Sequence, residues 1–483
     1  MFMEYEMMKS TLLLLLCAAM CVPAVVAQID RSKAPAPQPT PAISLPRIQR
    51  ATLTNGLTVM IVEHHELPIV QLRLILQSGA ALDPSDKAGT ANLTAQMVHE
   101  GTEHRTSLQI ADEFDFLGAN FFISSSADAT VASVQTLKEH LAKTLDVFAD
   151  VLLHPSFPQL EWDRVKQQHL TGLLQQRDRP ATVANNAFAS LLYGTSHPYG
   201  RPEDGTETSV RVISLEDLKR FYTTYYVPAN ATVIVVGDIT LAETTSLLEK
   251  YFDNWKGGAA PPARFPVVAP IDSTKIFLVD KPKAAQSEIR IGHFGTKRNA
   301  EDYYALAVMN MILGGQFSSR INLNLREAKG YTYGARSGFT WKKEIGSFVA
   351  SSAVKTAITD SAVIEFMKEL RRMRDEDVTP AELELAKNGI VRYQPQGFET
   401  PMQIAQQLST LVLFGLPDSY FDGLVQNIER VSAADVRRVA QKYLNPTASK
   451  IVIVGDLSII RPGLEGLGYG TTTVVDAEGN AVH

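Results

Sequence analysis

The sequence predicts an α+β protein of two homologous domains, each a mostly antiparallel sheet with helices packed on one face. The chain has 483 residues, of which 45% are hydrophobic, and this length exceeds what one hydrophobic core usually organises. A turn followed by an apolar strand ending in Gly-Asp occurs at 225–238 and again at 443–456. Hairpin-like strands are separated from long helices in each half. Together these observations indicate an internal duplication.

The N-terminal residues 1–27 predict a secretory signal peptide. An apolar run from Leu12 to Ala27 follows Lys9 and is interrupted by Pro23. The run is shorter than the roughly 20 residues that a membrane-spanning helix needs, although such a helix is the competing interpretation. We therefore expect a periplasmic protein.

A Pro/Ala-rich linker is predicted at 28–46, because its prolines prevent both a helix and a central strand. The first domain is expected at 47–256. Alternating and helical patterns of apolar residues in this domain predict strands at Gly56–Glu63 and Ile69–Gln77 and helices at Ala88–Val98, Leu137–Leu153 and Leu160–Arg177.

A second break, rich in Gly, Ala and Pro, predicts a linker at 257–272. The second domain is expected at 273–460, with the elements of the first domain in the same order. The remaining tail, 461–483, contains several glycines and no pattern that indicates chemistry.

Charge and cysteine content exclude several classes of function. The net charge of −6 provides no basic excess for a phosphate backbone, so nucleic acid is not expected as a partner. Both cysteines, Cys17 and Cys21, lie in the predicted signal peptide. A mature chain without cysteine has no disulfide, no catalytic thiol and no thiolate zinc site.

Residues 89–102, GTANLTAQMVHEGT, resemble the zinc-binding helix of the pitrilysin/insulinase family of zinc peptidases, whose inverted motif is H-x-x-E-H. The resemblance extends over 47–460 and includes the duplication. It implies half of a peptidase clamshell. Further residues that carry it are Gly118-Ala119, Asp128, Thr130, the run HPYGRP at 197–202, the run LGG at 313–315 and the run LREAKGYTY at 325–333.

The resemblance places the metal-binding and catalytic positions of the family on four residues that cannot serve them. The two histidines fall on Asn92 and Gln96, the glutamate between them on Ala95, and the downstream glutamate on Gly172. Neutral amide oxygens are poor zinc ligands, and Ala95 has no proton acceptor. We therefore expect no metal and no cofactor in this chain, with zinc held by a partner subunit.

A relocated metal site is the alternative. It would use the polar residues that follow the motif and a histidine near Gly172, but His99 and His104 are spaced too unevenly to share one helical face as an i, i+4 pair does. Solvated polar side chains are the simpler interpretation. The residues concerned are His99, Glu100, Glu103, His104 and His169.

Two further positions depart from the family pattern beside the zinc helix. The family usually places Asn and Ala where this chain has Phe122 and Ile123. An apolar pair against a metal-free helix predicts a repacked core at this point.

The second half retains the other chemical pattern of the family, L-R-E-x-x-G-x-x-Y, in Arg326 and Tyr333. The resemblance implies that this pair contacts the bound peptide and helps to stabilise the oxyanion. Guanidinium and phenol groups are donors suited to that task. The alternative is an arginine paired with a carboxylate and a tyrosine packed in a strand.

The resemblance therefore implies a zinc-free subunit of a periplasmic heterodimeric zinc metallopeptidase. Its partner would be a homologous subunit with an intact H-x-x-E-H motif, and its substrates would be peptides that add to a sheet as an edge strand. The alternatives are a catalytically inactive structural or peptide-binding scaffold and an autonomous peptidase with a relocated metal.

Overall fold

Two sheets form the framework of residues 47–482, the part of the chain that this computed structural model describes. The predicted signal peptide and the linker at 28–46 lie outside the described residues. The first sheet has the order β1-β2-β6-β3-β5-β4 and the second β12-β7-β11-β8-β10-β9. The strands are β1 (Gln49–Thr52), β2 (Thr58–Glu63), β3 (Ile69–Leu76), β4 (Asn120–Ser125), β5 (Thr130–Leu137), β6 (Ala231–Gly237), β7 (Lys275–Asp280), β8 (Gln286–Phe294), β9 (Ala335–Thr340), β10 (Ser347–Lys355), β11 (Lys450–Gly455) and β12 (Thr472–Val475).

The helices of the first half pack mainly on the outer face of the first sheet. Their apolar residues form one core with β2, β3, β5 and β6, centred on fully buried side chains such as Phe148 and Phe252. The helices of the first half are α1 (Thr90–Met97), α2 (Ser107–Phe116), α3 (Leu141–Leu153), α4 (Gln159–Arg177), α5 (Pro180–Tyr193), α6 (Glu207–Val212), α7 (Leu215–Tyr225) and α8 (Leu241–Phe252). Of these, α5 does not contribute to this core.

The second half repeats this arrangement with its own core around Phe348 and Phe366. Two segments of π-helix, Met311–Gly315 and Leu323–Ala328, interrupt its first helical region. The helices are α9 (Tyr303–Asn310), α10 (Arg320–Asn322), α11 (Thr359–Asp375), α12 (Pro380–Tyr393), α13 (Pro401–Phe414), α14 (Leu424–Arg430), α15 (Ala433–Tyr443) and α16 (Leu457–Glu465).

Corresponding strands of the two halves have corresponding partners. The repeated apolar strands are β6 and β11, and both lie inside their sheets, where they pair in parallel with β2 and β7 respectively. The remaining neighbours of these two strands, β3 and β8, run antiparallel. Every residue of β6 is buried, as expected of a central strand rich in valine. The predicted duplication and α+β class are confirmed.

One helix of each half crosses to the sheet of the other half, and we call α5 and α13 the exchanged helices. Phe188 and neighbouring residues of α5 pack on β8 and β11 of the second sheet. Leu408 and neighbouring residues of α13 pack on β3 and β6 of the first sheet. The inner face of each sheet is therefore covered partly by the opposite half, a feature absent from the sequence-based prediction.

The predicted tail at 461–483 is part of the second domain, so the boundary at 460 is wrong. Helix α16 runs across that boundary, and β12 pairs in parallel with β7, placing Thr472 opposite Ile276. Without β12, β7 would be an unprotected edge strand with unpaired amides. The tail thus provides the edge strand of the second sheet, β12, which corresponds in position to β1 in the first sheet.

Predicted elements of the first domain are found with small shifts. The predicted helix at Leu137–Leu153 begins later, because Leu137 ends β5 and a short 3₁₀ turn precedes α3. The segment 257–272 has no regular secondary structure. Across residues 47–482, no helix is both long and apolar enough to span a bilayer.

Candidate functional site

Helix α1 carries the degenerate motif, and its N-terminus is held by a buried carboxylate. Asp83 accepts hydrogen bonds from the backbone N–H groups of Gly89 (2.7 Å) and Ala91 (2.8 Å). Gly89 has φ +100°, and a Cβ there would lie 2.8 Å from the carbonyl oxygen of Asp204. Burial raises the pKa of Asp83 to about 7, against the effect of those N–H groups. The retained residues therefore shape and anchor the helix.

The two positions expected to hold histidine ligands form a closed set of hydrogen bonds, which we call the amide network (Asn92, Gln96, His169 and Asp204). Asn92 Nδ2 donates to Asp204 Oδ1 at 2.9 Å, and Gln96 Nε2 donates to Asn92 Oδ1 at 2.5 Å. Gln96 Nε2 also lies 3.3 Å from His169 Nδ1, while His169 Nε2 lies 2.7 Å from the Asp204 carbonyl oxygen. Both amide nitrogens and the Asn92 side-chain oxygen thus have protein partners.

The amide network also specifies the tautomer of His169. A carbonyl oxygen only accepts, so His169 Nε2 carries the proton that is donated to Asp204. Nδ1 is then the acceptor for the N–H of Gln96. Both ring nitrogens of His169 thus take part in hydrogen bonds of the network, and neither has a free lone pair for a metal.

The other two catalytic positions have no reactive group. Ala95 is 1% exposed and lies in the protein interior. Gly172 on α4 faces open space, since a Cβ there would have no atom of the described residues within 4 Å apart from its chain neighbours and the backbone of its own helix. Two amides, a methyl group and a glycine do not fit a zinc ion, so no chemical step is assigned to a metal at α1.

The residues considered for a relocated site have separate partners. His99 packs edge-on against Phe121 at 5.9 Å, and burial lowers the pKa of its imidazole. Glu100 forms an ion pair with Arg164, and His104 lies 2.7 Å from a carboxylate oxygen of another element. The structure therefore does not bring these residues together with His169.

The predicted repacking of Phe122 and Ile123 is wrong for Phe122. Side chains alternate along β4, so Ile123 and Phe121 pack against the first core while Phe122 points to the opposite face. Phe122 is 43% exposed and lies beneath the guanidinium of Arg73 at 6.0 Å.

Arg326 lies in the π-helical segment Leu323–Ala328, which is held in place by polar contacts to two neighbouring helices. Just before it, Arg320 makes a two-pronged ion pair with Glu382, with distances of 2.6 and 3.0 Å. Within it, Asn324 Nδ2 donates to Glu369 Oε1 at 2.7 Å. Segments of π-helix occur frequently at functional sites.

Tyr333 presents its phenol to solvent, whereas Arg326 is half-buried and paired with a carboxylate, as the alternative interpretation of this arginine expected. The Arg326 guanidinium stacks on the exposed ring of Phe317 at 4.6 Å and lies 3.4 Å from Glu327. Tyr333 is 90% exposed in the bend that precedes β9. The alternative in which Tyr333 packs within a strand is therefore wrong.

Tyr333 lines an open cavity of about 940 Å³ between the exchanged helix α5 and the inner face of strands β8–β10. Buried Arg290 on the cavity wall donates to Asn185 at 2.7 Å and to Glu288 at 2.9 Å. The strand β9, at the end of the second sheet, forms one side. An edge strand beside a cavity can accept an extended peptide through its main chain.

Two family matches agree with these features. Residues 58–197 match the family described as Insulinase (Peptidase family M16), and residues 213–390 match the one described as Peptidase M16 inactive domain. The chain belongs to the M16 peptidase family. The predicted family is confirmed, and the M16 match to the first half includes the four degenerate positions.

Solved structures show the same fold. The crystal structure of a peptidase M16 inactive domain from Pseudomonas fluorescens has a TM-score of 0.80 and 28% identity, covering 85% of this chain and 98% of that chain. A protease from Helicobacter pylori has a TM-score of 0.80 at 22% identity, covering 85% of this chain and 100% of that one.

Sequence relatives include proteins named for activity and for its absence. An uncharacterized zinc protease of Rickettsia felis is 24% identical over 414 residues, which are 84% of this chain and 97% of the relative. The non-peptidase homolog YmxG of Helicobacter pylori is 24% identical over 384 residues, which are 78% of this chain and 87% of the relative. This chain is thus similar both to M16 proteins named as zinc proteases and to one named as a non-peptidase homolog.

Within this M16 fold, the run at 197–202 has a structural role that the sequence did not indicate. Tyr199 donates its hydroxyl to Asp128 at 2.6 Å, and Asp128 accepts a second hydrogen bond, of 3.0 Å, from the backbone N–H of Lys343. Lys342 Nζ lies 4.2 Å from the centre of the Tyr199 ring. Burial raises the pKa of the Tyr199 phenol. These residues fasten the β9–β10 loop to the first half.

Proposed function

We propose that this chain is the zinc-free subunit of a periplasmic heterodimeric zinc metallopeptidase. It contributes peptide binding and oxyanion stabilisation through Arg326 and Tyr333 to a site whose metal belongs to a homologous partner with an intact H-x-x-E-H motif. The observation that carries the proposal is an asymmetry. The side chains at the two histidine positions are engaged in the amide network, whereas the Tyr333 side chain is 90% exposed and that of Arg326 is 38% exposed.

The environment of Arg326 suits an oxyanion donor. Stacking on Phe317 occupies one flat face of the guanidinium and Nε lies 3.4 Å from Glu327, so the Nη groups are the donors available to a substrate. The phenol of Tyr333 is an additional donor at the mouth of the cavity. Donors of this kind act most strongly when a partner surface excludes water around them. The proposal therefore places catalysis at an interface and not within the free chain.

Peptide binding in this proposal uses the edge strand β9. Tyr333 lies two residues before this strand begins, so an extended peptide paired with β9 would pass beside the phenol. Main-chain pairing makes few demands on peptide sequence. The substrate class is accordingly an unfolded or extended peptide.

The test compares peptide hydrolysis by this chain alone, by the partner alone and by both together. We expect activity only in the mixture. Arg326→Ala should lower kcat about 100-fold, and Tyr333→Phe should have a smaller effect in the same direction, because each removes a donor to the developing charge. Arg461→Ala, which removes an exposed arginine paired with Glu465, is the matched control.

Unchanged kcat in Arg326→Ala, with assembly demonstrated by co-elution, would show that this arginine has no role in trans. A chain that binds peptides but gives no hydrolysis with any M16 partner would instead be a peptide-binding scaffold. The observation that favours this second function is the cavity, which is present in the chain by itself.

A further inference from the structure

His104, Asp150 and His154 form a compact cluster in the first half, separate from the amide network. We call it the His104 cluster. Nδ1 of His104 lies 2.7 Å from Asp150 Oδ1, and Nδ1 of His154 lies 3.3 Å from the same oxygen. One ligand atom from each residue lies within 4.8 Å of the other two. The set offers two imidazole nitrogens and one carboxylate oxygen close to one another.

We propose that the His104 cluster binds a divalent transition-metal ion, with Zn²⁺ as the ion of reference. Two histidines and one carboxylate, with water in the fourth position, are a common donor set for zinc. In a tetrahedral site with ligand bonds of about 2.0–2.1 Å, neighbouring ligand atoms are about 3.3–3.4 Å apart. The His154–Asp150 distance of 3.3 Å matches this value, and the His104–Asp150 distance of 2.7 Å would lengthen by about 0.6 Å when a metal replaces the hydrogen bond.

An unpartnered atom distinguishes this cluster from an ordinary ion pair. Nδ1 of His154 is buried and makes no hydrogen bond within residues 47–482, even though it faces Asp150. A buried polar atom without a partner costs free energy. A cation between the three ligand atoms would satisfy this nitrogen and would also relieve the crowding of two imidazoles on one oxygen.

The second oxygen of Asp150 is fixed by other residues, as is usual for a carboxylate ligand. Oδ2 accepts hydrogen bonds from Thr102 Oγ1 at 2.7 Å and from Arg105 Nη1 at 2.8 Å. These contacts turn Oδ1 toward the two histidines. The charge of Arg105 opposes a nearby metal, but Glu113 and Asp146 pair with the same guanidinium at 3.0 and 2.7 Å.

The backbone holds the two histidines in position. His154 follows Asp150 by four residues at the end of α3, which puts both on one face of the helix. The N–H of Glu103, next to His104, donates to the carbonyl oxygen of His154 at 2.9 Å. A bound metal would therefore tie the segment after α1 to the end of α3.

The test measures zinc binding by the full chain after removal of metals with a chelator. We expect one zinc ion per chain by equilibrium dialysis with elemental analysis, a rise in thermal midpoint on adding zinc, and a tetrahedral absorption spectrum with Co²⁺. His104→Ala and His154→Ala should each weaken binding at least tenfold. Because both side chains are half-exposed, these variants should fold.

Two control variants keep this proposal separable from the proposed function. His140→Ala removes a half-exposed histidine just before α3, and His169→Ala removes the imidazole of the amide network; both should bind zinc as the wild type does. No zinc bound by the wild type would overturn the metal site alone. Zinc lost only in His169→Ala would place a metal at α1 and overturn both proposals.

Discussion

Gly172 shows how a reactive side chain can be replaced without changing the fold. It lies in the middle of α4, at the position where the M16 resemblance implies a glutamate, and it faces open space. The helix continues through it for another turn. At Asn92 and Gln96 the replacement side chains instead bond to each other, to Asp204 and to His169, so their polarity is used within the fold.

Gly172→Ala should stabilise the protein by about 0.5–1 kcal/mol. Alanine has a lower conformational entropy in the unfolded chain and a higher helix propensity, and its methyl group would meet nothing beyond its neighbours and the backbone of its own helix. Urea unfolding followed by circular dichroism measures the difference. Gly205→Ala is the opposite control, because Gly205 has φ +77° and its Cβ would lie 2.2 Å from the carbonyl oxygen of Ala88. A destabilised Gly172→Ala variant would contradict the open space described at α4.

At the scale of the element, the segment that carries Arg326 depends on an ion pair outside it. Arg320 is largely buried and binds Glu382, which is also part of the capping box at the start of α12. Hydrogen bonds from Arg320, together with those of Thr379, lower the pKa of Glu382 to about 2. The ion pair between Arg320 and Glu382 therefore links the position of the Arg326 segment to the ionised state of the Glu382 carboxyl group.

Glu382→Gln should destabilise the protein by about 1–2 kcal/mol at neutral pH. The value is smaller than for a fully buried pair, because 30% of the Glu382 side chain is exposed and water screens it. Since the folded pKa is depressed, the stabilisation is present above the unfolded value of 4.5 and is lost as pH falls toward about 2.

Unfolding free energies of wild type and Glu382→Gln at several pH values from neutral downward measure this dependence. The difference should be constant above about pH 5 and shrink below it. Glu376→Gln, at an exposed residue paired with Arg372, is the matched control and should change stability by less than about 0.5 kcal/mol. A stability difference between wild type and Glu382→Gln that grows as pH falls would contradict the depressed pKa of Glu382.

At the scale of the whole molecule, the exchanged helices join the two halves. Leu408 of α13 is 2% exposed and lies among Met60, Ile75 and Ile234 of the first sheet. Phe188 of α5 fits against the second sheet, where a Cβ at Gly292 would lie 2.8 Å from its ring. Neither sheet buries its inner face with its own helices alone.

Leu408→Ala should destabilise the protein by about 3 kcal/mol and should shift one unfolding transition shared by both halves. The buried leucine leaves a cavity at the contact between the first sheet and a helix of the second half. Denaturant unfolding with one probe in each half measures the coupling. Leu174→Ala, at a side chain that is 48% exposed on α4, should have a much smaller effect. Two separate transitions, with only the first shifted, would show that the halves fold independently.

The spacing of apolar residues along the sequence predicted the helices and strands whose pattern is long and uninterrupted. Helix α4 begins one residue before its predicted start and ends at the predicted Arg177, because its pattern is long and uninterrupted. Phe122 was assigned wrongly, because an apolar residue on an edge strand can face either side and only the register with β5 decides which. The tail was missed because β12 is four residues long and is specified by its neighbour β7.

The duplicated α+β fold, the M16 family and the replacement of the metal ligands at Asn92, Gln96 and Gly172 and of the catalytic glutamate at Ala95 could be predicted from the sequence. These follow from local pattern and side-chain chemistry, which each segment carries with it. Three features became visible only in the folded structure. The exchanged helices join the halves, His169 completes the amide network, and His104 lies close to Asp150 and His154. Such contacts join residues far apart in the chain, and their distances depend on how the helices and sheets pack.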